Sequence, residues 1–128
     1  MDDLLALIES EGVVLSEENV EATMRAVRSR SFSADLYLTA SGIYLFKRSP
    51  ASGTILFSNR VIKNLQHIDE QQFIRNVTIT GRSLVITFPL MGNMMIMFLM
   101  PDGSLTIGVR DPASWKEKIA THLLHRSG

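Results

Sequence analysis

The chain has 128 residues, 45% of them hydrophobic, which is the composition of a single globular domain rather than of a disordered chain. Because it contains no cysteine, disulfide bonds and thiolate chemistry are excluded, and a cytoplasmic or nuclear location is expected. The first residues, Met1-Asp2-Asp3, are acidic where a signal peptide would be basic, so secretion is not expected.

The formal net charge of zero conceals an uneven distribution. Residues 1–21 contain seven acidic residues and no basic one, so all 13 Lys and Arg residues lie in residues 22–128 with the six remaining acids, and this part carries a formal charge of +7. Residues 1–15 are therefore predicted to form an acidic, helical N-terminal arm, and residues 16–128 a single basic domain.

The arm contains four apolar residues at helical spacing: Leu4, Leu5, Leu7 and Ile8. They fit a short helix that ends near Gly12. Because a helix of this length is unstable alone, it needs a surface to cover. We hypothesise that the arm docks on its own domain, or by exchange on a second copy, and that it covers the Met-rich strand predicted at residues 94–100.

Residues 16–28 fit two interpretations. As a helix, the segment has Ser16 at the N-cap and Val20 and Met24 on one face. As a strand, it has Val20, Ala22 and Met24 alternating with polar residues, although Ala is a weak strand former. Local signals favour the helix slightly, and both interpretations stay open.

From Ala34 onwards, apolar residues recur with a period of two, which is typical of strands. Turn-forming residues divide this part of the chain into seven predicted strands. They lie near residues 34–39, 43–47, 54–62, 77–79, 84–88, 94–100 and 105–109. If residues 20–28 are also a strand, the count becomes eight.

The last two strands are predicted to form a hairpin around Pro101-Asp102-Gly103. Both faces of the strand at 94–100 are apolar. It is therefore either covered on both sides or presents an adaptable docking surface to a partner or a second copy, formed by Met95, Met97 and Leu99. Residues 84–100 are not expected to span a membrane, because Pro89, Gly92 and Asn93 interrupt them.

A C-terminal helix is predicted over about residues 112–125. Asp111 is suited to cap it, and Pro112 is suited to its first turn. Its apolar stripe consists of Trp115, Ile119 and Leu123. We expect Trp115 to be a core residue that pins the helix to the strands.

These elements predict a mainly β fold: an antiparallel sandwich or barrel of seven or eight strands, capped by a C-terminal α-helix and preceded by a short N-terminal helix. The segment Arg28–Arg48 resembles the opening hairpin of pleckstrin-homology domains, and Thr54-Ile55-Leu56-Phe57 resembles the strand after it. Met97–Ile107, followed by Trp115–Ile119, resembles the closing hairpin and capping helix of that superfamily, which includes PH-like and GRAM-like domains.

The resemblance implies a recognition module that acts as an adaptor or scaffold through protein–protein interaction. The alternative that it implies is peripheral binding to phosphoinositides or other anionic lipids. In lipid-binding members, an upstream Lys joins an Arg-x-Arg motif; here Arg28-x-Arg30 is present, but Glu17-Glu18-Asn19 replaces the Lys. The family register predicts that four basic residues, which we call the basic rim, converge at one end of the barrel: Arg28, Arg30, Lys47 and Arg48.

The sequence contains no Gly-x-Ser-x-Gly elbow, no phosphate loop ending in Gly-Lys-Ser/Thr, no Gly-x-Gly-x-x-Gly and no His-Glu-x-x-His motif. His122 and His125 have a spacing compatible with a metal, but cations near a helix C-terminus ordinarily interact with the helix dipole. We therefore expect no enzymatic activity, no metal and no cofactor. The expected partner is another protein, an anionic membrane lipid is the alternative, no nucleic acid is expected, and a homo-oligomer stays open.

Overall fold

The computed structural model describes residues 3–25, 29–48, 53–59, 74–89 and 102–124. This part of the chain is mainly β, as predicted, with seven antiparallel strands in one sheet and a helix at each end. The elements, in chain order, are α1 (Asp3–Ser10), β1 (Val13–Arg25), β2 (Ser29–Thr39), β3 (Ile43–Arg48), β4 (Gly53–Ser58), β5 (Asn76–Thr80), β6 (Ser83–Pro89), β7 (Asp102–Gly108) and α2 (Pro112–Ile119), which continues as a π-helical turn (Ala120–Leu124).

Strand β1 joins two halves of the sheet, whose strand order is β4-β3-β2-β1-β7-β6-β5. It pairs with β2 along most of its length, and residues 22–25 also pair with residues 104–107 of β7. Phe57 of β4 and Phe88 of β6 pack with ring centroids 5.8 Å apart, although four other strands lie between β4 and β6 in the sheet order. The sheet is therefore folded over as a sandwich, and the apolar side chains of both halves form one main core.

Helix α2 closes this core as the sequence predicted. The carboxylate of Asp111 accepts a hydrogen bond from the backbone N–H of Ser114 at 3.2 Å, and Pro112 occupies the first turn. The predicted apolar stripe enters the main core, with two residues buried and the third packed against them: Trp115, Ile119 and Leu123.

Residues 13–25 form a strand, so the slightly favoured helix interpretation of residues 16–28 is wrong over its described part. Val20, Ala22 and Met24 are buried at alternate positions. Pairing with β2 on one edge and β7 on the other outweighs the low strand propensity of Ala. A bulge between Glu17 and Val20, where Asn19 adopts a φ of 59°, interrupts the alternation and conceals the strand in the sequence.

The predicted last hairpin is also wrong over its described part, residues 102–108. Asp102 and Gly103 are not turn residues but the first residues of β7, which pairs with β6. The other edge of β7 pairs with β1, so over 104–107 neither edge is open to a further strand. A Cβ atom added to Gly103 would lie 2.4 Å from the Phe88 ring, so packing requires the glycine there. The predicted docking surface lies outside the described residues: Met95, Met97 and Leu99.

Helix α1 docks on the sheet of its own domain, on the outer face of β2, β3 and β4. Ile8 is 1% exposed and Leu5 is partly buried there. The sheet contributes two tyrosines, a phenylalanine and an isoleucine to this second cluster: Tyr37, Tyr44, Phe46 and Ile55. Because the neighbouring residues of β3 face the main core, this strand is covered on both sides.

The carboxylate of Glu11 anchors the end of α1. It accepts hydrogen bonds from the hydroxyls of Tyr44 at 2.7 Å and Thr39 at 2.8 Å, two fully buried side chains. Gly12, with a φ of +86°, turns the chain towards β1, and its carbonyl accepts the N–H of Ala40 at 3.1 Å. The arm is therefore held by apolar burial together with charge-assisted hydrogen bonds.

Candidate binding groove

The strand directions define one end of the sheet where several chain connections begin. The terminal pairs there are Arg25 with Ser29, Arg48 with Gly53, and Pro89 with Asp102. Because the strands are antiparallel, the residues that flank these connections all lie at the same end, which we call the basic end. The turn between β5 and β6 and the start of α2 lie towards the opposite end.

Two members of the predicted basic rim lie at the basic end. Arg30, near the start of β2, and Lys47, near the end of β3, are both exposed. The guanidinium of Arg30 lies 5.6 Å from the centroid of the Phe32 ring, at a distance suited to a cation–π interaction. Arg28 lies outside the described residues, and Arg48 ends β3 with its side chain outside the described set.

A groove opens at this end because β2 and β3 separate. The two strands pair from Leu38–Ile43 to Asp35–Phe46, after which β3 pairs with β4 and, in the described part of the chain, with no other strand. The groove has a volume of about 680 Å³. Its lining comes from β1, β2 and β3: Glu18, Asn19, Ser31, Phe32, Ser33, Ala34, Asp35, Phe46 and Lys47.

The groove carries two carboxylates and one ammonium group, from Glu18, Asp35 and Lys47. Asp35 accepts a hydrogen bond from the backbone N–H of Asn19 at 3.0 Å, which holds the β1 bulge against β2. The formal charge of the lining is therefore negative, opposite to the charge that the predicted basic rim would give this end.

One edge of β2 borders the groove. Within the described residues, positions 29–34 of β2 pair with β1 and with no other strand. Their exposed side chains bond back to β1: the Ser33 hydroxyl donates to Glu21 at 2.7 Å, and the Ser31 and Thr23 hydroxyls lie 3.1 Å apart. The backbone edge of β2 is thus turned towards the groove while its serines are engaged with β1.

Arg30 and Lys47 lie at the same end of the sheet, but sequence reasoning missed the carboxylates of Glu18 and Asp35, which line the groove together with Lys47. Glu18 lay in the segment whose interpretation favoured a helix, and the separation of β2 from β3 beyond Asp35 has no local sequence signal. The one available signal was Asn19, because Asn adopts the left-handed region more readily than most residues and so marks a bulge.

The described residues contain no group of three or more His, Cys, Asp or Glu side chains arranged to hold a metal ion. None of the helices in these ranges is long and apolar enough to cross a membrane. Comparison with known proteins gives no match to a family model, to a curated protein or to a solved structure.

Proposed function

We propose that this chain is a PH-like recognition module without catalytic activity, which serves as an adaptor or scaffold by binding an extended segment of another protein in the groove between β2 and β3. The observation that carries the proposal is the edge of β2 at positions 29–34, which among the described residues pairs on one side only and borders a groove of about 680 Å³. An added strand gains affinity from backbone hydrogen bonds and specificity from the side chains around it.

The architecture supports the PH-like assignment. Four strands form one half of the folded sheet and three form the other, and a C-terminal helix closes the core with a buried Trp115. This is the arrangement that the resemblance of the opening hairpin and the capping helix implies. The assignment rests on the capping helix and the strand order, because the closing hairpin that the resemblance also implies is contradicted by the pairing of β7 with β6 and β1.

The charges of the groove specify the kind of segment. Glu18 and Asp35 favour a segment with Lys or Arg side chains, and Lys47 at the other side of the groove favours an acidic residue or a C-terminal carboxylate. Because these groups are exposed or half-buried, their main effect is on selectivity and the association rate rather than on stability.

A peptide-display selection on the full chain tests the proposal. Selected peptides should be basic, and their binding should shift the backbone amide resonances of residues 29–35 and Lys47. Glu18→Lys should weaken binding at least tenfold, whereas Glu9→Lys, the same change on the exposed side of α1, should leave it unchanged. Selection of no peptide, or shifts confined to another surface, would reject the groove as the binding site.

Binding to anionic lipids, peripherally at a membrane, is the second candidate. It is favoured by the position of Arg30 and Lys47 at the basic end. The connection that contains Arg28 also begins at this end. Each suitably placed basic residue contributes ~1 kcal/mol to attraction by an anionic membrane. The groove carboxylates of Glu18 and Asp35 oppose this attraction, so the protein partner is the better supported of the two.

A further inference from the structure

In the described part of the chain, strand β5 is an edge strand whose composition does not block pairing. It ends the sheet order, and in the described part of the chain it pairs with β6 alone. Its five residues, Asn76–Thr80, include no charge and no proline, the features that commonly block such edges. Ile79 is 39% exposed, whereas the strand at the other end of the order, β4, is almost entirely buried.

The β5–β6 hairpin determines which backbone groups of β5 face outwards. Its turn has two residues, Gly81-Arg82, so the flanking pair Thr80 and Ser83 is hydrogen-bonded, and Thr78 and Asn76 follow at alternate positions. The backbone N–H and C=O groups of Val77 and Ile79 therefore point away from β6. Consistently, the N–H of Val77 donates to the side-chain oxygen of Asn76 at 2.9 Å rather than to a strand.

We propose that β5 pairs antiparallel with β5 of a second copy, with Thr78 opposite Thr78 on the two-fold axis. In this register Val77 of each copy lies opposite Ile79 of the other. Because these are the residues whose backbone groups face outwards, each such pair exchanges two hydrogen bonds. The two seven-stranded sheets then become continuous across the axis.

The composition of β5 favours a second copy as its occupant. An isologous contact requires a surface that complements itself, and a neutral strand opposes no like charges in this register. Ile79 gains the apolar neighbour Val77 on the same face of the joined sheet, which covers its exposed surface. Arg75 lies opposite Gly81 rather than another cation, and its guanidinium is already 3.0 Å from the carboxylate of Asp102.

Asn76 controls this pairing in the proposed register. Its side-chain oxygen occupies the place that a carbonyl of the second copy would take at the N–H of Val77, so Asn76 must turn away before the strands join. Asn76→Ala removes this competitor in both copies. Self-association should therefore become stronger by on the order of tenfold, since two hydrogen-bond positions are released together.

The test uses the full chain, whose lack of cysteine makes an introduced thiol unique. Thr78→Cys should form an intermolecular disulfide on mild oxidation, because its sulfur meets its own equivalent across the axis. Thr80→Cys is the matched control on the same exposed strand, since two Thr80 positions are offset by about 13 Å along the strands in this register. Equal cross-linking of both variants would indicate random collision and overturn the proposal.

Sedimentation velocity provides the second measurement. Because the interface is small, we expect concentration-dependent self-association of the wild type between about 0.1 and 1 mM. Ile79→Pro removes an outward N–H without touching the bonds to β6 and should abolish association, with the fold checked by amide spectra. A wild type that stays monomeric through this range, or association that persists in Ile79→Pro, would refute β5 pairing. Because the groove is not involved, peptide binding there should be unaffected by Ile79→Pro.

Discussion

Gly103 lies close to the ring of Phe88, so replacing this glycine should lower the stability of the domain. The size of the loss distinguishes the observed strand at residue 103 from the turn predicted there. A Cβ atom at residue 103 would lie 2.4 and 2.8 Å from two atoms of the Phe88 ring and 3.0 Å from the carbonyl oxygen of Arg25. Neither neighbour can yield easily, because Phe88 is fully buried and Arg25 is part of β1. Gly103→Ala therefore forces the β6, β7 and β1 strands apart locally.

The expected loss follows from two opposing contributions. Crowding of this kind costs ~1–3 kcal/mol, and replacing glycine returns ~0.4–1 kcal/mol through the lower entropy of the unfolded chain. The net loss for Gly103→Ala is about 1–2 kcal/mol, which lowers the melting temperature by roughly 4–8 °C in a domain of this size. Differential scanning calorimetry and urea unfolding measure both quantities.

Two further variants make the result specific. Gly108→Ala is the matched control on the same strand, because a Cβ atom there meets only one backbone oxygen at 3.9 Å; it keeps only the unfolded-chain contribution and should be ~0.4–1 kcal/mol more stable than the wild type. Phe88→Leu removes the ring that the new methyl group would meet, so the double variant should lose at least ~1 kcal/mol less than the two single losses added together. Additive losses, or equal stability of Gly103→Ala and Gly108→Ala, would refute the packing argument.

Three other predictions concern α2, the basic rim and α1. Trp115→Ala should lower the free energy of unfolding by ~3–5 kcal/mol or unfold the domain, whereas Lys116→Ala, at the exposed position beside it, should change it by no more than ~0.5 kcal/mol. Urea denaturation measures both changes, and equal losses would show that Trp115 does not pin the helix. If the basic rim binds lipid, Arg28→Glu with Arg30→Glu should abolish flotation with anionic vesicles at unchanged stability, and flotation that survives both changes would remove the rim hypothesis. Deleting residues 1–11 should leave a folded domain that binds more apolar dye, since the cluster beneath Ile8 becomes exposed; unchanged dye binding would show that α1 does not cover it.

Sequence reasoning succeeded where local signals and tertiary contacts agree. Asp111 and Pro112 specify the start of α2 by hydrogen bonding and fixed backbone geometry, which are properties of a few adjacent residues. Gly12 ends the α1 segment for the same kind of reason, since its φ of +86° suits glycine. The alternation in β2 and β3 also predicted a hairpin correctly, because consecutive strands tend to pair.

The failures lie where distant residues decide the structure. Asp102 and Gly103 carry a strong local turn signal, but pairing with β6 on one side and placement beside β1 on the other put them in a strand. The groove was missed for a related reason. Its opening depends on where β3 leaves β2 after Phe46, and its negative charge depends on Asp35 and on Glu18, which lies in the β1 bulge.

The pairing of β1 with β7 also has a consequence for the synthesis of the chain. Within the described residues, the two halves of the sheet are joined by this pairing, and its partners are far apart in sequence: Ala22 pairs with Ile107, 85 positions later. During translation β1 therefore has a free edge until β7 has left the ribosome, a delay of several seconds at ~5–20 residues per second. Such non-local closure predicts slow folding, on a scale of milliseconds to seconds once the chain is complete. A nascent chain that ends before β7 exposes both β1 and the apolar faces of the two halves, so chaperone binding should fall sharply when residue 107 emerges.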